Sequence, residues 1–230
     1  MRNDLNISRV SDVLALPKVP TKTDSWTDQA MPAAYLEWRR EEQRILGENI
    51  CDGDYVADFC CGDGRLVPVI MERARRYEGC DYELEAIARA RAAAERYGDR
   101  VRFTHNDCQA FVPRYEGKTP DIALSMGNSL AALPYSLFEV IGHMKESAER
   151  GVLVSVIQRG NLEIRKEYYE SLGMPYSLDV ENETFYSPTW GSSRAFSGEE
   201  IENALKKAGL YRIEITQAGT LGFIATALCK

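Results

Sequence analysis

The sequence predicts an α/β fold: a Rossmann-like, doubly wound domain with a mostly parallel sheet and a C-terminal antiparallel hairpin. Three observations support this. Short apolar runs alternate with amphipathic helical stretches from Tyr55 onward, a glycine-containing turn follows the first run, and two apolar runs flank Gly219 near the end of the chain. Alternating strands and helices form parallel crossover units with helices on both faces of the sheet. Two strands joined by a tight turn form a hairpin.

Length and charge limit the function classes. With 230 residues, 44% of them hydrophobic, residues 1–230 can form a single domain with a full core. The net charge of −7 would repel the phosphates of a nucleic acid. The six cysteines form no paired C-x-x-C zinc units, and no apolar run reaches membrane-spanning length. We therefore expect a cytoplasmic monomer or homodimer that acts on a small molecule, with no nucleic-acid or membrane partner.

The first 50 residues are predicted to form an arm and a lid helix. Residues 1 to about 25 show no sustained period, whereas Asp28 to about Leu46 has helical spacing. Trp26, Tyr35 and Trp38 lie in this region. The helix either covers one edge of the core or places these aromatic rings as a lid over a ligand.

The central part of the chain supplies the crossover units. Two helices separate the first three strands, and a third helix precedes the fifth strand. The predicted order is strand VADFC, helix RLVPVIMERARR, strand YEGCD, a helix from Leu84 to Tyr97, strands VRFTH and DIALSM, helix SLFEVIGHMKESAE and strand VLVSVIQ.

The regular pattern stops over residues 160–195 and then resumes. This stretch is rich in aromatic residues, and it is too long for a plain connection, so we expect a substrate-side insertion. Ser197 and Glu200 then form a predicted capping box for a helix from Gly198 to Ala208, which Gly209 ends. The last two strands are YRIEITQAG and LGFIATALC.

The turn after the first strand lies in VADFCCGDGR, Val56 to Arg65. A glycine turn between a strand and a helix lets a nucleotide-like ligand approach the backbone. The dinucleotide fingerprint G-x-G-x-x-G needs a third glycine three residues after the second, where this chain has valine. The spacing instead resembles D-x-G-x-G-x-G, the first motif of class I S-adenosylmethionine (SAM)-dependent methyltransferases. Asp58, Gly62 and Gly64 match it, and Cys60 stands at the family's first glycine.

The resemblance implies two further acidic positions. An acid at the end of the second strand takes both ribose hydroxyls, and Asp81 has this position, with two acceptor oxygens that suit a vicinal diol. An acid after the third strand lies near the adenine, and Asn106, Asp107 and Cys108 match there. Asp107 can equally be an N-cap before Gln109.

The segment after the fourth strand suggests a subclass. SMGNSLAAL is similar to the G-N-S segment of the glycine and sarcosine N-methyltransferases, which borders both SAM and the substrate. Asn128 and Ser129 offer donors and acceptors at the carboxyl end of a strand, although a turn with a helix cap also explains them. Arg159 and Asn161, after the fifth strand, also resemble that subclass.

Methyl transfer from a sulfonium is an in-line displacement, and much of its acceleration can come from proximity and orientation. A neutral amine needs no strong base, and the only two histidines, His105 and His143, are expected to be structural. A catechol-type metal site resembles a pattern with an acid directly after the fourth strand, which is missing here, so we expect no metal. We therefore predict a small-molecule N-methyltransferase that uses SAM and releases S-adenosylhomocysteine.

The candidate site residues form three sets. The cofactor set is Asp58, Cys60, Gly62, Gly64, Asp81, Tyr82, Asn106, Asp107, Cys108, Met126, Asn128, Trp38 and Tyr35. The catalytic set is Asn128, Tyr168 and Arg159. The substrate set is Arg159, Asn161, Tyr169, Tyr186, Trp190 and Arg194, in which an arginine can clamp a carboxylate.

Four alternatives stay open at the level of sequence. A small-molecule O-methyltransferase would share the cofactor site. A nicotinamide-dependent oxidoreductase would need the other glycine spacing. An aminopropyltransferase resembles a pattern with paired acids after the fourth strand, which this chain lacks, and Asp81 argues against a non-catalytic binding module.

Overall fold

A computed structural model describes residues 31–188 and 191–230 of the chain. The predicted N-terminal arm, Trp26, the first residues of the predicted lid helix and Trp190 lie outside the described residues. Within these ranges, none of the helices combines the length and the apolar composition needed to cross a bilayer.

A seven-stranded sheet has the strand order β3-β2-β1-β4-β5-β10-β9. Strands β1 to β5 are parallel, whereas β10 is antiparallel to both β5 and β9. This mostly parallel sheet with a C-terminal hairpin confirms the predicted fold class. The strands are β1 (Tyr55–Phe59), β2 (Arg76–Asp81), β3 (Val101–His105), β4 (Ile122–Ser125), β5 (Gly151–Ile157), β9 (Tyr211–Ala218) and β10 (Gly222–Leu228).

The helices cover both faces of this sheet with buried apolar stripes. They are α1 (Ala33–Asn49), α2 (Val67–Ile70), α3 (Leu84–Ala93), α4 (Leu137–Glu146), α5 (Leu162–Ser171) and α6 (Gly198–Lys207). Ser197 and Glu200 form the predicted capping box of α6. A second capping box, of Ser136 and Glu139, begins α4.

The predicted helix over RLVPVIMERARR is wrong in length, since α2 has four residues. The chain is already extended at Arg76, whose guanidinium forms a buried ion pair with Glu78 two residues along the strand. Tyr77 faces the opposite side of the strand and is fully buried. Side chains that alternate between two buried faces require the extended conformation, which local helical spacing does not reveal.

The insertion has a helix and a small sheet of its own. After α5, strands β6 (Ser177–Asp179), β7 (Thr184–Ser187) and β8 (Gly191–Arg194) pair antiparallel in the order β6-β7-β8. Arg165, fully buried in α5, donates to the carbonyl oxygens of Glu183 and Ser193, both at 2.6 Å. Tyr169 stacks on Phe185 with ring centroids 4.6 Å apart. These contacts hold α5 against the small sheet.

Candidate active site at the carboxyl ends of the parallel strands

The predicted cofactor residues follow four neighbouring strands. Gly62 and Gly64 come after β1, Asp81 ends β2, Asp107 follows β3, and Met126 follows β4. The carboxyl ends of parallel strands meet at one edge of the sheet, which is where ligands bind in such folds. The topology therefore brings these residues to a common edge.

The glycine turn has a backbone that favours glycine. Gly62 and Gly64 have φ values of +56° and +74°, and Cys60 has +69°. A Cβ on Gly64 would lie 3.0 Å from the Phe103 ring, so this position excludes a side chain. Cys60 adopts the left-handed conformation at a cost of roughly 1 kcal/mol, since its Cβ crowds the carbonyl oxygen. Cys60 thus holds a left-handed backbone conformation of the kind that favours glycine.

Asp81 is almost fully buried and holds the glycine turn. Its Oδ2 accepts the N–H of Gly62 at 2.8 Å, and its Oδ1 accepts the N–H of Glu83 at 2.9 Å. Burial raises the pKa of this carboxyl above its usual value, although the backbone N–H groups oppose the shift. Each carboxylate oxygen has a second lone pair, so Asp81 can still accept a pair of hydroxyl groups.

The side chains of Asn106 and Asp107, after β3, already form hydrogen bonds within the protein. Asp107 is an N-cap whose Oδ1 accepts the N–H of Gln109 at 2.7 Å, which confirms the capping interpretation. Its Oδ2 accepts the hydroxyl of Tyr135 at 2.7 Å. Asn106 uses its Oδ1 on the N–H of Asp107, and the neighbouring Cys108 is buried. Tyr82, after β2, is half-exposed.

The side chain of Asn128 forms hydrogen bonds to residues of three other segments. Its Oδ1 accepts the N–H of Ile157 at 2.9 Å. Its Nδ2 donates to the Ser193 hydroxyl at 3.3 Å and to the Arg194 carbonyl at 3.2 Å. Both amide hydrogens are thus used within the protein, so Asn128 connects β4, β5 and β8, and its catalytic role stays a prediction.

The site includes an ion pair that the sequence analysis missed. Glu42, fully buried in α1, accepts the N–H of Gly127 at 2.7 Å through Oε1. Its Oε2 pairs with the guanidinium of Arg65, directly after the glycine turn. One carboxylate therefore ties the first helix to the turns after β1 and β4. The signal in the sequence is a glutamate on the apolar face of the helix, one turn after Trp38.

Several buried polar atoms in this region have no partner among the described residues, and two of them lie on charged side chains beside the glycine turn. They are Nη1 of Arg65, a donor, and Oδ1 of Asp58, an acceptor. The other oxygen of Asp58 accepts the hydroxyl of Tyr77 at 2.8 Å. Burial raises the pKa of Asp58 to about 7. A buried donor and a buried acceptor fit a ligand that carries a carboxylate and an ammonium.

We expect the Asp58→Asn variant to gain stability over the wild type as the pH rises. The pKa of this carboxyl is raised on folding, so the folded state holds the proton more tightly than the unfolded state between about pH 4 and pH 7. Ionisation of Asp58 therefore reduces stability across this window, by about 2–4 kcal/mol in total. Asparagine does not ionise and still offers an oxygen to Tyr77.

Urea unfolding of the SAM-free protein from pH 4 to pH 8 measures this effect. The free energy of unfolding of Asp58→Asn minus that of the wild type should increase with pH and level off above pH 7. Asp99→Asn, at an exposed position, is the matched control and should give a flat difference. A flat difference for Asp58→Asn would contradict the prediction.

Four of the predicted aromatic residues of the lid and insertion pack in the core. Tyr35 and Trp38 are buried on the same face of α1 as Glu42. Tyr35 stacks on Tyr168 with centroids 4.0 Å apart, and burial raises the pKa of the Tyr168 phenol well above its usual value. A phenol that keeps its proton cannot act as a general base near neutral pH. Tyr168 thus packs against α1, and its catalytic role stays a prediction.

The predicted substrate residues divide into two groups. Asn161 donates to the carbonyl oxygens of Gln158 and Leu221, both at 3.2 Å, so its amide is held by the protein. Tyr169 is buried against the small sheet, as described above. In contrast, Tyr186 is 49% exposed, and Arg159 and Arg194 share the carboxylate of Glu200 at 3.4 Å and 2.9 Å. Two guanidinium groups on one carboxylate give this corner a net positive charge.

In the described part of the chain, no group of three or more histidine, cysteine, aspartate or glutamate side chains has the arrangement of a metal site. His105 and His143 each place Nε2 against a backbone carbonyl oxygen, that of Tyr82 at 2.9 Å and that of Phe111 at 2.8 Å. Each histidine side chain thus bonds to the backbone, which fits the structural role expected of both.

Comparison with known proteins gives one family match and several structures of similar fold. A family model described as a methyltransferase domain matches residues 56–151. The fold is similar to that of Burkholderia thailandensis 1,6-didemethyltoxoflavin-N1-methyltransferase, solved with 1,6-didemethyltoxoflavin and S-adenosylhomocysteine, at 18% identity and a TM-score of 0.63 over 90% of this chain and 81% of that one.

Two more solved structures share the fold. Magnesium protoporphyrin IX methyltransferase from Synechocystis PCC 6803, with bound S-adenosylhomocysteine, has 16% identity and a TM-score of 0.60 over 90% of this chain and 91% of that one. A SAM-dependent methyltransferase from Clostridium acetobutylicum has 15% identity and a TM-score of 0.58 over 85% and 92%. The methyltransferase-domain match therefore covers β1 to β4 and the glycine turn, and these solved structures share the fold of the chain.

Proposed function

We propose that the enzyme methylates a nitrogen atom of a small molecule. The observation that supports this is the state of the candidate bases around the strand ends. Both histidines bond to backbone carbonyl oxygens, and Glu42, Asp81 and Asp107 each use both carboxylate oxygens within the protein. The remaining carboxylate, Asp58, has one oxygen without a partner among the described residues, which we assign to the ammonium group of SAM and not to a base. A neutral amine needs no base to attack, whereas a phenol or alcohol usually does. The site therefore suits an acceptor that arrives with a free lone pair.

We also propose which residues hold the cofactor. When bound, SAM supplies an electrophilic methyl group on a sulfonium. Asp81 accepts the two ribose hydroxyls, while Gly62 and Gly64 keep the backbone turn open. The unpartnered Nη1 of Arg65 and Oδ1 of Asp58 match the carboxylate and the ammonium of the methionine part. The chain's contribution to rate is then to orient the two reactants and to exclude water.

The activity named for one structural neighbour is consistent with nitrogen methylation. The Burkholderia enzyme is named as an N1-methyltransferase, and its structure holds its acceptor together with S-adenosylhomocysteine. The Synechocystis enzyme is named for a magnesium porphyrin. Both acceptors are small molecules, which supports a small-molecule acceptor for this chain.

Methyl transfer from SAM labelled with ¹³C in the methyl group tests the proposal. The purified enzyme is incubated with a panel of metabolites in which each amine has a matched phenol or alcohol. The ¹³C chemical shift of the product separates N-methyl from O-methyl groups. Products confined to the oxygen acceptors would overturn nitrogen methylation. Calorimetric titration that detects NADH but not SAM would overturn the cofactor assignment as well.

A further inference from the structure

A cleft of about 570 Å³ is linked to the ends of β3 and β4 by two of its lining residues, Tyr135 and Arg194. Three elements form its walls: the segment from Leu130 to Phe138, strands β7 and β8 with Phe196, and the outer face of α6. This volume is in the range of pockets that hold small organic ligands. The cleft is therefore large enough for a methyl acceptor.

The walls of the cleft are tied to the predicted cofactor residues. Tyr135, which lines the cleft, donates its hydroxyl to Asp107 after β3. Asn128, after β4, bonds to the Arg194 carbonyl, and Arg194 also lines the cleft. A ligand in the cleft would thus contact elements that are anchored on the ends of β3 and β4.

The lining of the cleft combines apolar surface with positive charge. Leu130, Leu133, Phe138 and Phe196 provide apolar walls, and Phe138 keeps 39% of its surface exposed. An exposed aromatic wall in a concave site is suited to an apolar ring system.

Among the described residues, the charged side chains of the lining are Arg194 and Lys207, with no aspartate or glutamate. Lys207 places its ammonium 4.4 Å from the centroid of the Phe138 ring, and no carboxylate pairs with it within the described ranges. Arg194 stacks on Phe196 at 4.0 Å and donates Nη1 to Glu200, and its other nitrogen atoms pair with no further carboxylate in the described part of the chain. In a chain of net charge −7, this is a local concentration of cations.

From these contacts we infer that the cleft binds the methyl acceptor, and that the acceptor is an apolar, ring-containing molecule with an anionic group. The ring packs on Phe138 and Leu133, and the anion lies between Arg194 and Lys207. Arg159, predicted as a clamp, is not part of this lining and stays paired with Glu200. The inference rests on the proposed methyltransferase function and narrows its substrate class.

Two fluorescent probes of similar shape test the inference. The anionic probe is 1-anilinonaphthalene-8-sulfonate, and the neutral one is N-phenyl-1-naphthylamine, which lacks the sulfonate. Binding to the full chain is measured with saturating S-adenosylhomocysteine, which occupies the cofactor site. We expect Lys207→Gln and Arg194→Gln each to weaken the anionic probe about five- to ten-fold. The neutral probe should change less than about two-fold.

Lys206→Gln is the matched control, because Lys206 is the neighbouring residue of α6 and pairs with Glu202 at 2.6 Å outside the cleft. It should leave both probes unchanged. Asn203 lines the cleft from the exposed side of α6, so Asn203→Trp should exclude both probes.

The inference is overturned if Lys206→Gln weakens the anionic probe as much as Lys207→Gln, or if Asn203→Trp leaves both probes bound. SAM affinity is measured on the same proteins by calorimetry. If the wild type binds SAM and the variants give either of these contradicting probe results, only the cleft assignment is overturned. A chain that fails to bind SAM overturns the proposed function itself.

Discussion

Asp81→Ala should lower the affinity for SAM about a hundred-fold or more while leaving the protein folded. The substitution removes both acceptors proposed for the ribose hydroxyls, and each hydrogen bond to a charged group contributes about 1.5–3 kcal/mol. It also releases the N–H of Gly62, so the glycine turn loses an anchor. The ligand-free fold should lose little, because burial of this carboxylate is itself unfavourable, as its raised pKa shows.

Isothermal titration calorimetry with SAM measures the affinity, and urea unfolding checks the fold. Asp63→Ala is the matched control, because it also removes one negative charge, from an exposed residue of the glycine turn that Asp81 holds. Asp81→Asn should give an intermediate loss, because it keeps one acceptor oxygen. Equal SAM affinity in Asp81→Ala and Asp63→Ala would mean that the ribose lies elsewhere.

The second large effect is expected from Glu42→Gln, which should reduce the free energy of unfolding by about 3–5 kcal/mol. Glutamine keeps the acceptor for Gly127 but removes the negative charge, leaving the guanidinium of Arg65 in a largely buried site without its ion-pair partner. Breaking a buried ion pair from one side is costly because the remaining ion stays desolvated.

The matched control is Glu41→Gln, one residue away. Glu41 pairs with Arg44 at 2.9 Å on the surface, where loss of an ion pair costs about 0–1 kcal/mol. In the double variant Glu42→Gln with Arg65→Gln, most of the lost stability should return, because no unpaired charge is left. SAM affinity should stay low in that double variant, since Arg65 is proposed to hold the methionine carboxylate. A double variant no more stable than Glu42→Gln would contradict the ion-pair explanation.

The sheet was predictable because its signals are local. Apolar runs of strand length, the capping box of Ser197 and Glu200, and the turn at Gly219 are each set by neighbouring residues, and the structure contains all of them. The small sheet of the insertion was not predicted, because its stability depends on contacts distant in sequence, such as Arg165 with Ser193.

The same distinction applies to the site. The turn at Gly62 and the acid at Asp81 occur at fixed spacing along consecutive strands, so the motif indicates them. Glu42 lies 85 residues before Gly127, its partner, and no local pattern links the two. The hydrogen bonds of the Asn128 side chain to Ile157 and Arg194 likewise depend on how distant strands pack. Polar side chains that the sequence analysis assigned to a ligand thus form some of their hydrogen bonds within the fold.

By itself, the sequence determined the α/β class, the terminal hairpin and the SAM motif at the end of the first strand, since alternation and short-range spacing encode these features. Only the tertiary structure decided which polar groups remain available. It paired Glu42 with Arg65, turned Asn128 and Asn161 inward, and placed Lys207 beside Arg194 in the cleft. Burial and pairing depend on which distant elements meet, and the order of residues along the chain does not contain that information in a local form.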